Sequence, residues 1–168
     1  MLHAVPAAAQ APGAPRNPFG EPAARTSTSH LSMTVSASRE AAAPGERVRV
    51  DVDVTPRRGM HVYAPGKHDY QVVQFTIDAQ PWLEAAPTGY PPSERYYFEP
   101  LDETVEVYSS PFRLTREVTL LSSPAAAKAL AGREAVTIAG TLAYQACDDK
   151  VCYAPTKVPV RVEVQLKR

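Results

Sequence analysis

The sequence predicts an all-β fold, an immunoglobulin-like antiparallel β-sandwich preceded by a disordered Ala/Pro-rich N-terminal segment. Three observations carry this reading. From His30 onward apolar residues recur with period two, the spacing of strands with one buried face. Turn signals such as Pro44-Gly45, Pro56-Arg-Arg-Gly59, Pro65-Gly66 and Pro91-Pro92 separate these runs, and only Pro124–Ala131 reads as helical. Short, regularly spaced strands with almost no helix argue for two packed antiparallel sheets.

Taken in order, residues 1–28 form a linker or the remnant of a leader. Pro6, Pro12, Pro15, Pro18 and Pro22 remove backbone donors and fix φ, and Phe19 is the residue best able to pin the segment to an edge. Ala4-Val-Pro-Ala-Ala-Ala-Gln-Ala11 resembles the small-residue end of a leader, without the charged start and apolar core of a complete one. Residues 29–168 are expected to hold one domain with one core.

Within that domain, strands are expected at Leu31–Ser36, Val48–Val54, Met60–Tyr63, Val72–Ile77, Thr104–Tyr108, Phe112–Leu120, Ala135–Tyr144 and Lys157–Leu166. The last two strands carry the cleanest pattern. Val136, Ile138, Leu142 and Tyr144 share one face, as do Val158, Val160, Val162 and Val164. The connection between these two strands holds the only cysteines, in Tyr144-Gln-Ala-Cys-Asp-Asp-Lys-Val-Cys-Tyr-Ala-Pro155.

Composition narrows the function. Lys plus Arg and Asp plus Glu are 18 each, with no basic run, so a nucleic-acid backbone has no electrostatic footprint to meet. No apolar run reaches the roughly 18 residues that cross a bilayer, so no membrane insertion of this chain is expected. Two cysteines do not close a zinc site, and His3, His30, His61 and His68 show no ligand spacing with them. No Ser or Cys nucleophile stands in a recognisable constellation with His and an orienting group. No cofactor and no metal is expected.

Cys147 and Cys152 remain. A disulfide closing so short a loop gains roughly 2 kcal/mol from chain entropy, little for a purely stabilising bond. Thiol–disulfide exchange needs an accessible thiolate to attack and a second sulfur to resolve, which this pair supplies. Asp148 and Asp149 disfavour a thiolate and Lys150 favours one, so a restrained thiol is expected, although an Asp pair also serves as an ordinary turn. Two other readings stay open at this point. One is a non-catalytic secreted β-sandwich binding module with a structural hairpin disulfide. The other is a Cu(I)-binding module using both thiolates with Met60 or His61.

Most of the aromatics, Tyr63, Tyr90, Tyr108, Tyr144 and Tyr153 among them, suit sandwich packing. Ser93-Glu-Arg-Tyr-Tyr-Phe-Glu-Pro-Leu101 differs, with three consecutive aromatics where a polar loop between strands is expected. Such a loop would fold over the disulfide and shield it.

The frame Tyr144-Gln-Ala-Cys147…Cys152-Tyr-Ala-Pro-Thr156, the Val-rich strand after it, and Gly59-Met-His-Val-Tyr-Ala-Pro65 resemble the N-terminal periplasmic domain of the thiol:disulfide interchange protein DsbD, the disulfide bond corrector domain family. The resemblance covers roughly Leu31 to Leu166. It implies a periplasmic, redox-active protein-disulfide reductase module whose cysteine pair takes electrons from a membrane donor on a separate domain or chain. It further implies thioredoxin-like clients of the disulfide isomerase or cytochrome c maturation type. Cys152 would form the mixed disulfide and Cys147 would resolve it. Tyr96, Tyr97 and Phe98 would belong to the cap, and His61, Tyr63, Tyr144 and Tyr153 would line the site.

Overall fold

The computed structural model describes residues 25–99 and 102–167. In chain order the strands are β1 (Arg25–Ser27), β2 (Leu31–Ala37), β3 (Ala41–Ala42), β4 (Arg47–Pro56), β5 (His61–Tyr63), β6 (Gln74–Ile77), β7 (Leu83–Ala85), β8 (Glu94–Phe98), β9 (Glu103–Tyr108) and β10 (Phe112–Leu120). Helix α1 (Pro124–Leu130) precedes β11 (Ala135–Tyr144), β12 (Ala146–Cys147) and β13 (Thr156–Leu166). Every strand run expected from period two forms a strand. The Ala/Pro-rich segment through Ala24, with Phe19, lies outside the described residues; Arg25–Ser27, within the stretch expected as linker, pair with Ser32–Thr34 as an edge strand.

Two sheets make the sandwich. One has strand order β1-β2-β4-β10-β7 and the other β3-β13-β11-β6, with every pairing antiparallel except the short β3–β13 contact. Val48, Val50, Val52 and Val54 of β4 and Leu114, Val118 and Leu120 of β10 meet Val136, Ile138, Leu142, Val158, Val160 and Val164 in one buried core. Alternation is the cause, since a strand that sends every second side chain inward builds half of a core. The opposite face of the first sheet is charged: Arg49 donates to both oxygens of the buried Asp51 carboxylate, and Arg113 makes two bonds to Asp53.

Arg116 occupies an inward position of β10 where the alternation calls for an apolar residue. Its guanidinium turns to the carbonyls of Ala86 and Phe75, at 2.6 and 2.9 Å, and so satisfies backbone acceptors at the sandwich rim. Helix α1 begins where Ser123 accepts a bond from the Ala126 N–H and Pro124 takes the first turn, and it buries Ala126 and Leu130.

A third sheet, of order β12-β5-β9-β8, gives Val62, Tyr108 and Ala146 to the main core on one face and carries a small core of its own from Tyr63, Val105, Val107 and Cys147 on the other. Its strand β8 corrects one expectation. The aromatic run expected as a loop is instead an antiparallel strand, with Tyr96 opposite Val105, Tyr97 opposite Thr104 and Phe98 opposite Glu103. Residues of high β propensity pair with the adjacent strand once Pro91-Pro92 has ended the preceding segment.

Candidate functional site: a disulfide on a satellite sheet

Cys147 and Cys152 are joined by a disulfide and face each other across a tight hairpin. Tyr153 N–H donates to the Ala146 carbonyl at 2.8 Å and Asp148 N–H donates to the Val151 carbonyl at 3.0 Å. These two bonds flank the cysteines, which makes them a non-hydrogen-bonded pair, the position in an antiparallel ladder where side chains approach most closely. The first arm of the hairpin joins the satellite sheet, with Cys147 opposite His61 and Ala146 opposite Val62.

Strand alternation then sorts the neighbours. Ala146 and Val62 turn to the sandwich core, and Cys147, His61 and Tyr63 turn the other way. On the same side β9 presents Glu103 and Val105, and β8 presents Tyr96 and Phe98. Together with Tyr70, Asp148 and Cys152 these side chains enclose a cleft at the sulfurs. The two sulfurs differ in access: Cys147 is 1% exposed, whereas Cys152 lies on the solvent side.

Tyr63 is the polar centre of the cleft. Its hydroxyl lies 3.4 Å from each sulfur, and because a disulfide sulfur carries no hydrogen, the phenol is the donor. Burial pushes the Tyr63 hydroxyl up to about 12, with Tyr70, Glu103 and Tyr96 adding to the shift, so it keeps its proton throughout the physiological range. The ring stacks on Tyr70 with centroids 4.3 Å apart, and the Tyr70 hydroxyl donates to Glu103 at 2.7 Å. His61 lies edge-on to Tyr63 and against Tyr96, 4.6 Å between centroids. Burial holds His61 below its ordinary value against the opposing pull of Asp148 and Asp149, which favours a neutral ring beside the sulfurs.

Asp148 closes the hairpin tip. One carboxylate oxygen accepts the N–H groups of Lys150 and Val151, both at 2.8 Å, and the other accepts the Tyr153 hydroxyl at 2.9 Å. The two backbone donors and then Tyr153 hold the acid below its ordinary range, so the carboxylate is charged at neutral pH. A neutral imidazole and an anionic carboxylate beside the pair disfavour a thiolate once the disulfide opens, while the Tyr63 phenol is placed to donate to one.

The site residues expected from sequence therefore divide. Cys147, Cys152, His61, Tyr63, Tyr96 and Phe98 come together. Tyr97 does not: it is 56% exposed on the other face of β8 and donates to Asp102, because a strand cannot aim consecutive side chains at one target. Tyr144 is fully buried in the sandwich core with its hydroxyl 2.8 Å from that of Thr28. Tyr153 packs on His30, 4.6 Å between centroids, and is absent from the residues lining the cleft. Asp148, expected to act on the thiol through its charge, also lines it, as do Tyr70 and Glu103, which carry no signal of a site role in the sequence; period two in Tyr96-Tyr97-Phe98 is the signal that one face holds the first and third.

Among the described residues no helix is long and apolar enough to cross a membrane. Solved structures give a fold-level likeness. The N-terminal periplasmic domain of ScsB from Proteus mirabilis superimposes with a TM-score of 0.57 at 14% identity, covering 82% of this chain and 49% of that one. The chain thus spans about half the length of that ScsB domain. The GAE domain of yeast GGA1 aligns at 8% identity with a TM-score of 0.42, covering 82% of this chain and 95% of that one, a likeness too low to carry an argument. Among curated proteins no sequence matches the chain. The family model for the N-terminal domain of thiol:disulfide interchange protein DsbD matches residues 31–163, and this chain, with its paired cysteines on their satellite sheet, belongs to that family.

Proposed function

We propose that the chain works in the periplasm as a protein-disulfide reductase module, taking electrons from a membrane-embedded donor and passing them to thioredoxin-like clients. Disulfide isomerases and cytochrome c maturation factors are the client classes that the family suggests. The observation that carries this reading is the unequal access of the two sulfurs, Cys147 at 1% exposure and Cys152 open to solvent.

In the reduced module, the Cys152 thiolate attacks one sulfur of the client disulfide and expels the other as a thiolate, which takes up a proton. The Cys147 thiolate then attacks Sγ of Cys152, forming the intramolecular disulfide and expelling the client's second sulfur. Two electrons, with two protons, pass to the client. A donor dithiol restores the module by attack on the exposed Cys152, with Cys147 as the leaving sulfur. Tyr63 donates to that leaving sulfur, and His61, Tyr96 and Phe98 wall the cleft beside it.

The test is mixed-disulfide trapping with an oxidised thioredoxin-like protein. Cys147→Ser is expected to accumulate a covalent complex through Cys152, and Cys152→Ser is expected to form none. The opposite pattern would reverse the roles. A wild-type pair that exchanges with no such protein and has a potential below about −300 mV would make the bond a structural clip instead.

A further inference from the structure

Besides the disulfide, the hairpin is held by hydrogen bonds that do not involve sulfur. Asp148, next to Cys147, reaches across the turn to the N–H groups of Lys150 and Val151 and to the hydroxyl of Tyr153, next to Cys152. Tyr153 is held from three further directions: its N–H donates to Ala146 at 2.8 Å, its carbonyl accepts from the Gln145 side chain at 3.1 Å, and its ring lies on His30. His30 in turn sits edge-on to the buried Tyr144, so the second arm of the hairpin is anchored on the sandwich. Breaking the disulfide removes none of these contacts.

We propose that Asp148 and Tyr153 form a clasp that keeps Cys147 and Cys152 opposed when the disulfide is open, so that the resolving attack of Cys147 on a Cys152 mixed disulfide is set by this pair. The proposal rests on the exchange reading above and deepens it, making both residues positioning residues. The physical basis is proximity. Two thiols held across a hairpin react as one unit, whereas a loosened turn must first be brought back into register, and a displacement near 1 Å is enough to cost on the order of a hundredfold.

An aromatic disulfide such as 5,5′-dithiobis(2-nitrobenzoate) separates the two steps. Attack by the Cys152 thiolate releases one coloured thiolate and leaves a mixed disulfide. Attack by Cys147 forms the intramolecular bond and releases the second. Asp148→Ala and Tyr153→Phe are expected to slow the second release by about tenfold or more while the first stays as fast or quickens. Asp148→Asn loses the charge, but its amide oxygen still accepts the two N–H bonds and its NH2 donates to the Tyr153 oxygen, so its second release is expected to be no slower than that of the wild type.

The Asp148→Ala/Tyr153→Phe double variant is expected to be no slower than Asp148→Ala, since the two side chains act through one bond. A second release unchanged in Asp148→Ala and in Tyr153→Phe overturns the proposal. So does an Asp148→Asn protein as slow as Asp148→Ala, which would make charge the cause. If Asp148→Ala does not fold, Tyr153→Phe decides the question by itself. The clasp is read without any protein client, so failure to reduce thioredoxin-like proteins would sink the functional reading and leave this result standing.

Discussion

The hydroxyl of Tyr63 lies 3.4 Å from Sγ of the buried Cys147, and the phenol is the donor in that contact. When an external thiol attacks Cys152, Cys147 leaves as a thiolate, and a donor already in place stabilises the charge that develops. Burial that holds the phenol at about 12 keeps this proton available.

Replacing Tyr63 with Phe keeps a ring to stack on Tyr70 and removes the donor. Reduction of the disulfide by dithiothreitol, followed by alkylation and mass, is expected to slow by about tenfold, the kinetic equivalent of one hydrogen bond to a charged group. An unchanged rate would remove Tyr63 from the chemistry and leave it a packing residue.

Tyr96 and Phe98 face the cleft and Tyr97 faces solvent. The double replacement of Tyr96 and Phe98 with Ala is expected to speed reduction of the disulfide by small thiols, because access limits exchange. Tyr97→Ala is expected to leave that rate unchanged. Acceleration by Tyr97→Ala alone would mean that the outward face of β8 folds over the sulfurs in solution.

His61 carries a pH dependence of stability. Its folded value lies below the ordinary 6.5, chiefly from burial, so the unfolded chain binds this proton more readily. The contribution is present in full above about pH 6.5 and is lost as the pH falls from there through the folded value. Thermal melts from about pH 8 to about pH 5 are expected to show this loss, and His61→Phe to flatten it. Equal slopes in both proteins would assign the acid sensitivity to other groups.

Gly140 of β11 lies opposite Ile77 of β6, where a Cβ would overlap the backbone carbonyl of Thr76. Backbone cannot swing aside as a flexible side chain does, so Gly140→Ala must spread the two strands. A loss of about 2–3 kcal/mol in denaturant unfolding is expected, with the reduction potential of the cysteine pair unchanged because Gly140 lies in the sandwich. A change in potential without a change in stability would contradict this separation of the two cores.

The sandwich was legible because its signal is local. Val48, Val50, Val52 and Val54 declare an inward face from their own spacing, whatever strand pairs with them, and the cysteines stand visibly between two strands of the same kind. The site was legible only in part. Reading Ser93–Leu101 as a loop grouped Tyr97 with Phe98, whereas the strand formed there sends them to opposite faces. Tyr144 and Tyr153 flank the cysteines in sequence, yet one is core and the other belongs to the outer side of the hairpin.

By itself the sequence determined an all-β chain with alternating strands, one short helix and a closely spaced cysteine pair with the means for exchange. Only the tertiary structure decided which side chains meet the sulfurs. The reason is that periodicity says how a strand divides its residues between two faces, while the register of β12 on β5, β5 on β9 and β9 on β8 decides what each face touches. Tyr63, Tyr96 and Glu103 reach one cleft through those long-range pairings, and the Tyr153 that bonds Asp148 across the turn packs its ring on His30, far away in sequence.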